Sequence, residues 1–393
     1  MSEASAPGSR QSGRAHLEIE LDALERNFAA VAAEVSPAGV MPVLKADAYG
    51  HGAVVVARTL EPLGTRGFLV ARPEEGVELR RAGVGAPILI GSPPSADLLD
   101  LYAEHALQVV ITGLEQFDFL ESYAAATGWR PAVHLKLDTG MHRLGVSAAE
   151  LPAALERLRA SAALSWVGLM SHLGDAERRG GGRNAAQLAA FAAAVERLTA
   201  HERESVTIHL ANSAGALGLP ASRWDVVRPG LALFGGEVPG STLELAPVLS
   251  IHARVRQVQG VGAGEAVGYG GLWTAPRASR IGVVGIGYAD GYPWRAGGAA
   301  RALVAGRRVP VVGAVSMDLL ALDLTGGGEV GDAVVLLGRQ GGEEIRLAEL
   351  AAWAGTIPYE ILCHQRLRLP RVHLRSGRPV DARRDATAVE STR

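Results

Sequence analysis

Hydrophobic and polar positions alternate strictly from His16 to Leu21, the period-two signature of a half-buried strand. Asp22 follows as the expected cap of a helix carrying Leu24, Phe28, Val31 and Ala32 on one face. From there, short apolar runs take turns with Ala- and Leu-rich amphipathic segments such as 149–160 and 184–200. The runs lie at 40–44, 67–71, 87–90, 108–111, 133–137, 166–170, 206–210 and 226–232. Eight strands alternating with helices over about two hundred residues predict a closed parallel (β/α)8 barrel. Such barrels draw their active groups from the carboxyl ends of the strands. Lys45, Lys136, Arg143, His172, Ser213 and Arg228 all fall at or just past predicted strand ends.

The texture changes near residue 247. Runs at 250–258, 280–286, 301–304, 308–312, 319–324 and 332–337 are short and often β-branched. Gly-rich turns separate them, with little helical periodicity. The fold class expected is therefore α/β, an N-terminal (β/α)8 barrel followed by a C-terminal mostly-β domain. The boundaries expected are a disordered tail at 1–14, a strand at 15–22 joining the β-domain, the barrel at 23–246, the β-domain at 247–376 and a polar tail at 377–393. The first fourteen residues have no apolar stretch of the kind a signal peptide needs.

Composition narrows the chemistry. A net charge of −2 and a pI near 6.6 give no case for nucleic acid or an acidic membrane surface. No apolar run reaches membrane-spanning length, and the single cysteine, Cys363, fits a reducing compartment. A cytoplasmic location is expected. Lysine and arginine together number 39, yet only Lys45 and Lys136 are lysine. Codon bias explains an arginine-rich surface but not the survival of lysine at two strand ends. Arginine stays protonated and forms no imine, whereas a partly buried lysine becomes a nucleophilic amine. Lys45, closing the run 40–44 before a Gly-rich loop, is where Schiff-base chemistry would be built. No cluster of metal ligands is visible, and none is expected.

Eight motifs then occur in order: KADAYGHG at 45–52, DTGMHR at 138–143, SH at 171–172, HLANS at 209–213, VRPG at 227–230, GYADG at 287–291, SMD at 316–318 and TIPYE at 356–360. In these the chain resembles the alanine racemases, enzymes that use pyridoxal 5′-phosphate (PLP), across nearly all of its length. The resemblance implies that Lys45 holds the cofactor as a Schiff base and serves as one acid/base group. Tyr288, supplied by the second subunit of a homodimer with shared sites, is the other. It implies Tyr49, Ser213, Gly230, Leu231 and Tyr359 at the cofactor phosphate, and Arg228 at the pyridine nitrogen with His209 behind it. His172 is implied as a further cofactor-binding residue. Arg143 would pair with the substrate carboxylate or the cofactor's 3′ oxygen, the Met317 amide would help hold the carboxylate, and Lys136 and Asp318 would support them. His172 and Arg228 are candidates for lowering the Tyr288 pKa, and Lys136 for carbamylation. The implied role is D-alanine supply for peptidoglycan.

Each assignment has a plainer reading. Tyr288 could be a packed core ring, Arg228 a strand-end cap, Ser213 a helix N-cap and Lys136 a buried lysine paired with Asp138 or another carboxylate. Many relatives carry arginine where this chain has Ala314, which leaves a broad-specificity racemase as the alternative. A decarboxylase or aldolase on the same barrel is more remote, because a decarboxylase wants a carboxylate rather than Arg228 at the ring nitrogen.

Overall fold

The computed structural model describes residues 15–178, 181–365 and 368–380. The tail expected at 1–14, and 381–393 of the one expected at 377–393, lie outside those residues. The chain divides into two compact units, residues 24–246 and residues 1–23 with 247–393.

The first unit is the barrel. Its parallel strands are β2 (Gly39–Val40), β3 (Phe68–Val70), β4 (Ile88–Ile90), β5 (Leu107–Ile111), β6 (Ala132–Lys136), β7 (Ser165–Met170), β8 (Thr207–His209) and β9 (Val226–Val227). They pair in the order β2-β9-β8-β7-β6-β5-β4-β3, and a bridge between Val43 and Leu69 closes the ring. All eight predicted strands are present. Several are shorter than expected, and the two cut shortest, β2 and β9, stop for identifiable reasons. Pro42 has no N–H, so past Val40 β2 continues only as separate bonds, among them Met41 N–H to Val227 C=O, Val43 N–H to Pro229 C=O and Leu44 N–H to Leu69 C=O. At the other end of the unit, Pro229 and Gly230 stop β9 after two residues, and 230–235 turn instead of extending to 232. Inside the ring, Met41, Leu89, Val110, Met170 and Val226 form a buried cluster. That filling makes the barrel a packed core, with its chemistry confined to the ends.

Helix α1 (Leu21–Val35) buries Leu24, Phe28, Val31 and Val35, spaced four, three and four apart as one helical face requires. It begins one residue before Asp22, which therefore lies in the first turn and does not cap. The Asp22 carboxylate instead accepts the Ser376 N–H.

In the second unit, β1 (His16–Glu20) buries Leu17 and Ile19 and turns its polar residues outward. It pairs antiparallel with β10 (Leu249–Val261) and parallel with Arg371–Arg375. The sheet continues through Ser279–Val284, Leu320–Asp323, Arg307–Val312, Arg301–Val304 and Ala333–Gln340. Two helices, Leu347–Ala354 and Pro358–His364, were not legible in the period of this region. Residues Arg378–Pro379, expected to open a tail, form the last strand of the sheet. No helix among the described residues is long and apolar enough to cross a membrane.

Candidate active site at the carboxyl end of the barrel

Lys45 leaves the closing strand and opens a turn of the wrong hand. Ala46, Asp47, Ala48 and Tyr49 all have φ between 52° and 57°, and Gly50 and Gly52 follow at 83° and 93°. A left-handed turn costs an L-residue roughly 1–2 kcal/mol, and only Asp tolerates it readily. Its anchors explain why it persists. Glu75 Oε1 accepts the Ala46 N–H at 2.6 Å while its other oxygen holds the N–H groups of Ala71 and Arg72. Asp47 accepts the Ala53 N–H at 2.7 Å. The buried His51 ring reaches the carbonyls of Ala48 and Tyr49 through Nδ1 and stacks on Phe234 at 4.2 Å. Lys45 itself is exposed, where partial burial was expected, because the turn carries it beyond the packed strand end.

Three positions distant in sequence converge beside it. Ser213 Oγ accepts the N–H groups of Gly230 at 3.0 Å and Ala232 at 3.2 Å. Tyr49 packs against the same glycine: a Cβ on Gly230 would lie 2.4 Å from the Tyr49 hydroxyl. The helix cap here is Asn212, whose side chain accepts the Gly215 N–H, so Ser213 is not the N-cap. Leu231 is buried in the same turn.

Arg228 is 3 % exposed, and among the described residues no carboxylate pairs with it. Its guanidinium donates to His209 Nδ1 at 2.8 Å, to the Ser171 carbonyl at 2.7 Å and to the Leu210 carbonyl at 3.1 Å. The two carbonyls end strands β7 and β8, so it does cap strand ends. Those bonds use three of its five N–H donors. Burial lowers its pKa to about 10.

Lys136, the last residue of β6, is 6 % exposed. Burial, and then the charges of Arg228, Arg143 and Lys45, push it down to about 8. The plainer reading, pairing with Asp138, is not what is found. Asp138 Oδ1 accepts the N–H groups of Gly140, Met141 and His142, and Oδ2 faces His142. Arg143 is exposed. His172 is driven well below its ordinary value by burial and then by Arg228, Lys136, Arg143 and Lys45, so it is neutral near pH 7. A neutral ring adds no positive charge of its own to this region. Four cations acting on one small region, with Asp138 the only opposing carboxylate at Lys136 among the described residues, favour an anionic ligand.

Gln187 was missed from sequence. It is buried and donates to Thr139 Oγ1 and the His172 carbonyl, while its oxygen accepts the Gly174 N–H. One amide thus ties the loop carrying Arg143 to the loop carrying His172. Glu75 was missed too, since a Glu near a helix start ordinarily reads as a capping residue.

Tyr288, Met317, Asp318 and Tyr359 belong to the other unit. Tyr288 and Met317 sit on two turns that are hydrogen-bonded together, Tyr288 N–H to Ser316 C=O and Ala289 N–H to Met317 C=O, both 3.0 Å. Arg368 spans them, pairing with Asp290 at 3.3 Å and Asp318 at 2.8 Å. Tyr288 is 43 % exposed, so it is not a packed core ring. Tyr359 lies on the helix Pro358–His364. Ala314 lines a cavity with Arg295, Trp294 and Leu272. Among the described residues no group of His, Cys, Asp or Glu could hold a metal.

A filled barrel with a lysine at its mouth and a buried donor-only arginine at the strand ends, followed in sequence by a β-unit, has the layout of a barrel-plus-β enzyme. Residues 19–238 match the family described as alanine racemase, N-terminal domain, and residues 248–373 its C-terminal domain. The chain belongs to the alanine racemase family. It is 42% identical over 367 residues to the alanine racemase of Pseudomonas taetrolens, covering 91% of this chain and 98% of that one. It is 41% identical over 364 residues to the catabolic alanine racemase of Pseudomonas putida, covering 91% and 98%. The crystal structure of the biosynthetic alanine racemase from Pseudomonas aeruginosa matches with a TM-score of 0.84 at 36% identity, over 92% of this chain and all of that one. That of alanine racemase from D-cycloserine-producing Streptomyces lavendulae matches at 0.86 and 33%, over 93% and 98%. The chain is an isomerase acting on an amino acid, and it interconverts L- and D-alanine. A broad-specificity racemase, a decarboxylase and an aldolase are not favoured.

Proposed function

We propose that the chain racemises alanine with PLP in a homodimer whose two sites each combine one copy's barrel with the other copy's β-domain. Residues 23–246 would carry the cofactor and 247–376, joined by the strand at 15–22, would supply the opposing groups. The observation carrying this reading is Arg228, a buried cation that can only donate and keeps two N–H groups uncommitted among the described residues. An acceptor such as an unprotonated ring nitrogen suits it. The other donors fit the group as well. Tyr49, Ser213, the backbone at Gly230 and Leu231, and Tyr359 would hold its phosphate; a side chain at 230 would run into Tyr49, and the Gly230 N–H already donates to Ser213 Oγ.

PLP, when bound, supplies an electron sink that acidifies the substrate Cα–H. The protein does the rest. Lys45 Nζ exchanges a proton at one face of Cα and the Tyr288 hydroxyl of a second copy at the other, since inversion needs a group on each side. Arg143 and the Met317 N–H hold the carboxylate. Asp318 steadies the Met317 turn through Arg368, His209 steadies Arg228, and neutral His172 borders the cations without adding charge. Tyr288 and Trp294 are both exposed and line one cavity, the kind of apolar surface a second copy would cover. A cytoplasmic, peptidoglycan-directed role fits this reading.

Gly230→Ala should weaken PLP binding on the order of 10-fold or more by driving a methyl into Tyr49. Fluorescence titration of the stripped protein with PLP checks this; unchanged affinity would remove Gly230 from the phosphate site.

Lys136 has a second prospect. Its amine is about half neutral near pH 8, and a neutral amine adds to CO2, losing a proton to give a carbamate. That anion would give Arg143 a partner, and acid would reverse it. Protein equilibrated with 13C-bicarbonate above pH 8 should show one carbamate carbon resonance, absent in Lys136→Gln. A spectrum without it counts against the modification.

A further inference from the structure

Below Arg228 a file of polar side chains crosses the otherwise apolar barrel interior. Arg228 Nη1 lies 2.8 Å from His209 Nδ1, His209 Nε2 lies 2.8 Å from His134 Nδ1, and His134 Nε2 lies 3.1 Å from Gln108 Oε1. The four residues come from β5, β6, β8 and the exit of β9. They climb from the second position of β5 to just past the last of β9. His134 lines a cavity with Gln108, Arg66 and Asp225, where the file ends.

Arginine has donors and no acceptors, and that fixes the direction of every later bond. His209 Nδ1 must accept, so in a neutral ring Nε2 carries the hydrogen and donates to His134 Nδ1. His134 must then carry its hydrogen on Nε2 and donate to Gln108 Oε1. Neutrality has its own cause. Burial holds His134 down to about 3, and burial followed by Arg228 holds His209 well below the ordinary value.

A buried histidine on an apolar strand is ordinarily a satisfied core residue. One observation sets this one apart. Gly168 lies directly opposite His134 on β7, and a Cβ there would sit 1.8 Å from His134 Nδ1. Glycine weakens a strand interior, and its retention marks close approach by another group. Here the missing side chain is the gap through which the His134 ring reaches across β7 to the T-shaped contact with His209 on β8, 5.0 Å between centroids.

We propose that His134, seated in the slot left by Gly168, is a positioning residue that locks His209 in the tautomer whose Nδ1 accepts from Arg228, and so fixes the arginine that faces the reacting ring. Without an acceptor at 134, His209 would keep a buried N–H unsatisfied or switch tautomer, and a hydrogen on Nδ1 would point at the Arg228 donors. The proposal rests on Arg228 facing the cofactor; the histidine tautomers can be read in stripped protein, which separates its failure from a failure of that reading.

The test is 15N-histidine NMR of the full dimeric protein, with and without PLP, on wild type, His134→Leu, His134→Asn and Gly168→Ala. Both buried rings of the wild type should be neutral and protonated at Nε2. His134→Leu and Gly168→Ala should change the His209 signature and lower kcat on the order of 10-fold with KM for alanine nearly constant. His134→Asn, which keeps an acceptor, should restore most of both. A wild-type ring protonated at Nδ1 or at both nitrogens overturns the proposal, even if a variant fails to fold. So does equal behaviour of His134→Leu and His134→Asn.

Discussion

Lys45→Arg should abolish racemisation, with kcat/KM falling on the order of 10⁴-fold or more, because one substitution removes both the amine proposed to hold the cofactor and a proposed proton-transfer group. Chiral analysis of alanine after long incubation measures it. The chain offers an unusually clean companion experiment. Only Lys45 and Lys136 are lysine, so borohydride reduction of the holoenzyme has two side-chain amines to mark. Peptide mapping should find the label on Lys45 alone. Label on Lys136, or racemisation surviving in Lys45→Arg, would overturn the assignment. Lys136 is the poorer candidate although its pKa is depressed to about 8, because it is buried at the end of β6. Lys45 stands exposed at the barrel mouth.

The second large effect is asymmetric. Tyr288→Phe should cut racemisation in both directions by roughly 10²–10⁴-fold, the usual worth of a positioned acid/base group. Alanine of one configuration should nevertheless still exchange its α-hydrogen in deuterium oxide, because Lys45 remains on its own face. Exchange lost equally from both enantiomers would exclude the two-face division of labour. The same pair of variants tests the shared site. In a mixed dimer of Lys45→Arg and Tyr288→Phe chains, one site receives both lesions and the other receives neither. Random reassortment should therefore recover about a quarter of wild-type activity if the groups come from opposite copies. No recovery would put Lys45 and Tyr288 in one chain's site.

The eight barrel strands were legible because parallel strands buried on both sides read as continuous apolar runs. Their ends were less so. Pro229 and Gly230 could have signalled the early stop of β9, but the apolar residues 231–234 masked it. Lys45, Ser213 and Arg228 were found because strand ends are where chemistry collects in this architecture. Glu75 and Gln187 were not, because each acts through backbone groups far away in sequence. His134 was not singled out, although a glycine in the middle of β7 was a visible sign that something passes close by. Least legible was the turn after Lys45. Nothing about Ala46, Ala48 or Tyr49 favours positive φ, and the conformation comes from anchors at Glu75, Asp47 and His51.

That turn carries a consequence for recognising such sites. Four consecutive non-glycine residues of inverted handedness form a mark written in the main chain alone. It survives any exchange of side chains that leaves the anchors intact. A search that reads only dihedral signs along a backbone would stop at residue 46, one peptide beyond the proposed reactive amine, without knowing a single residue type. Strain of this size persists where surrounding structure enforces it, so the backbone points to the proposed centre independently of the motif that first drew attention to it.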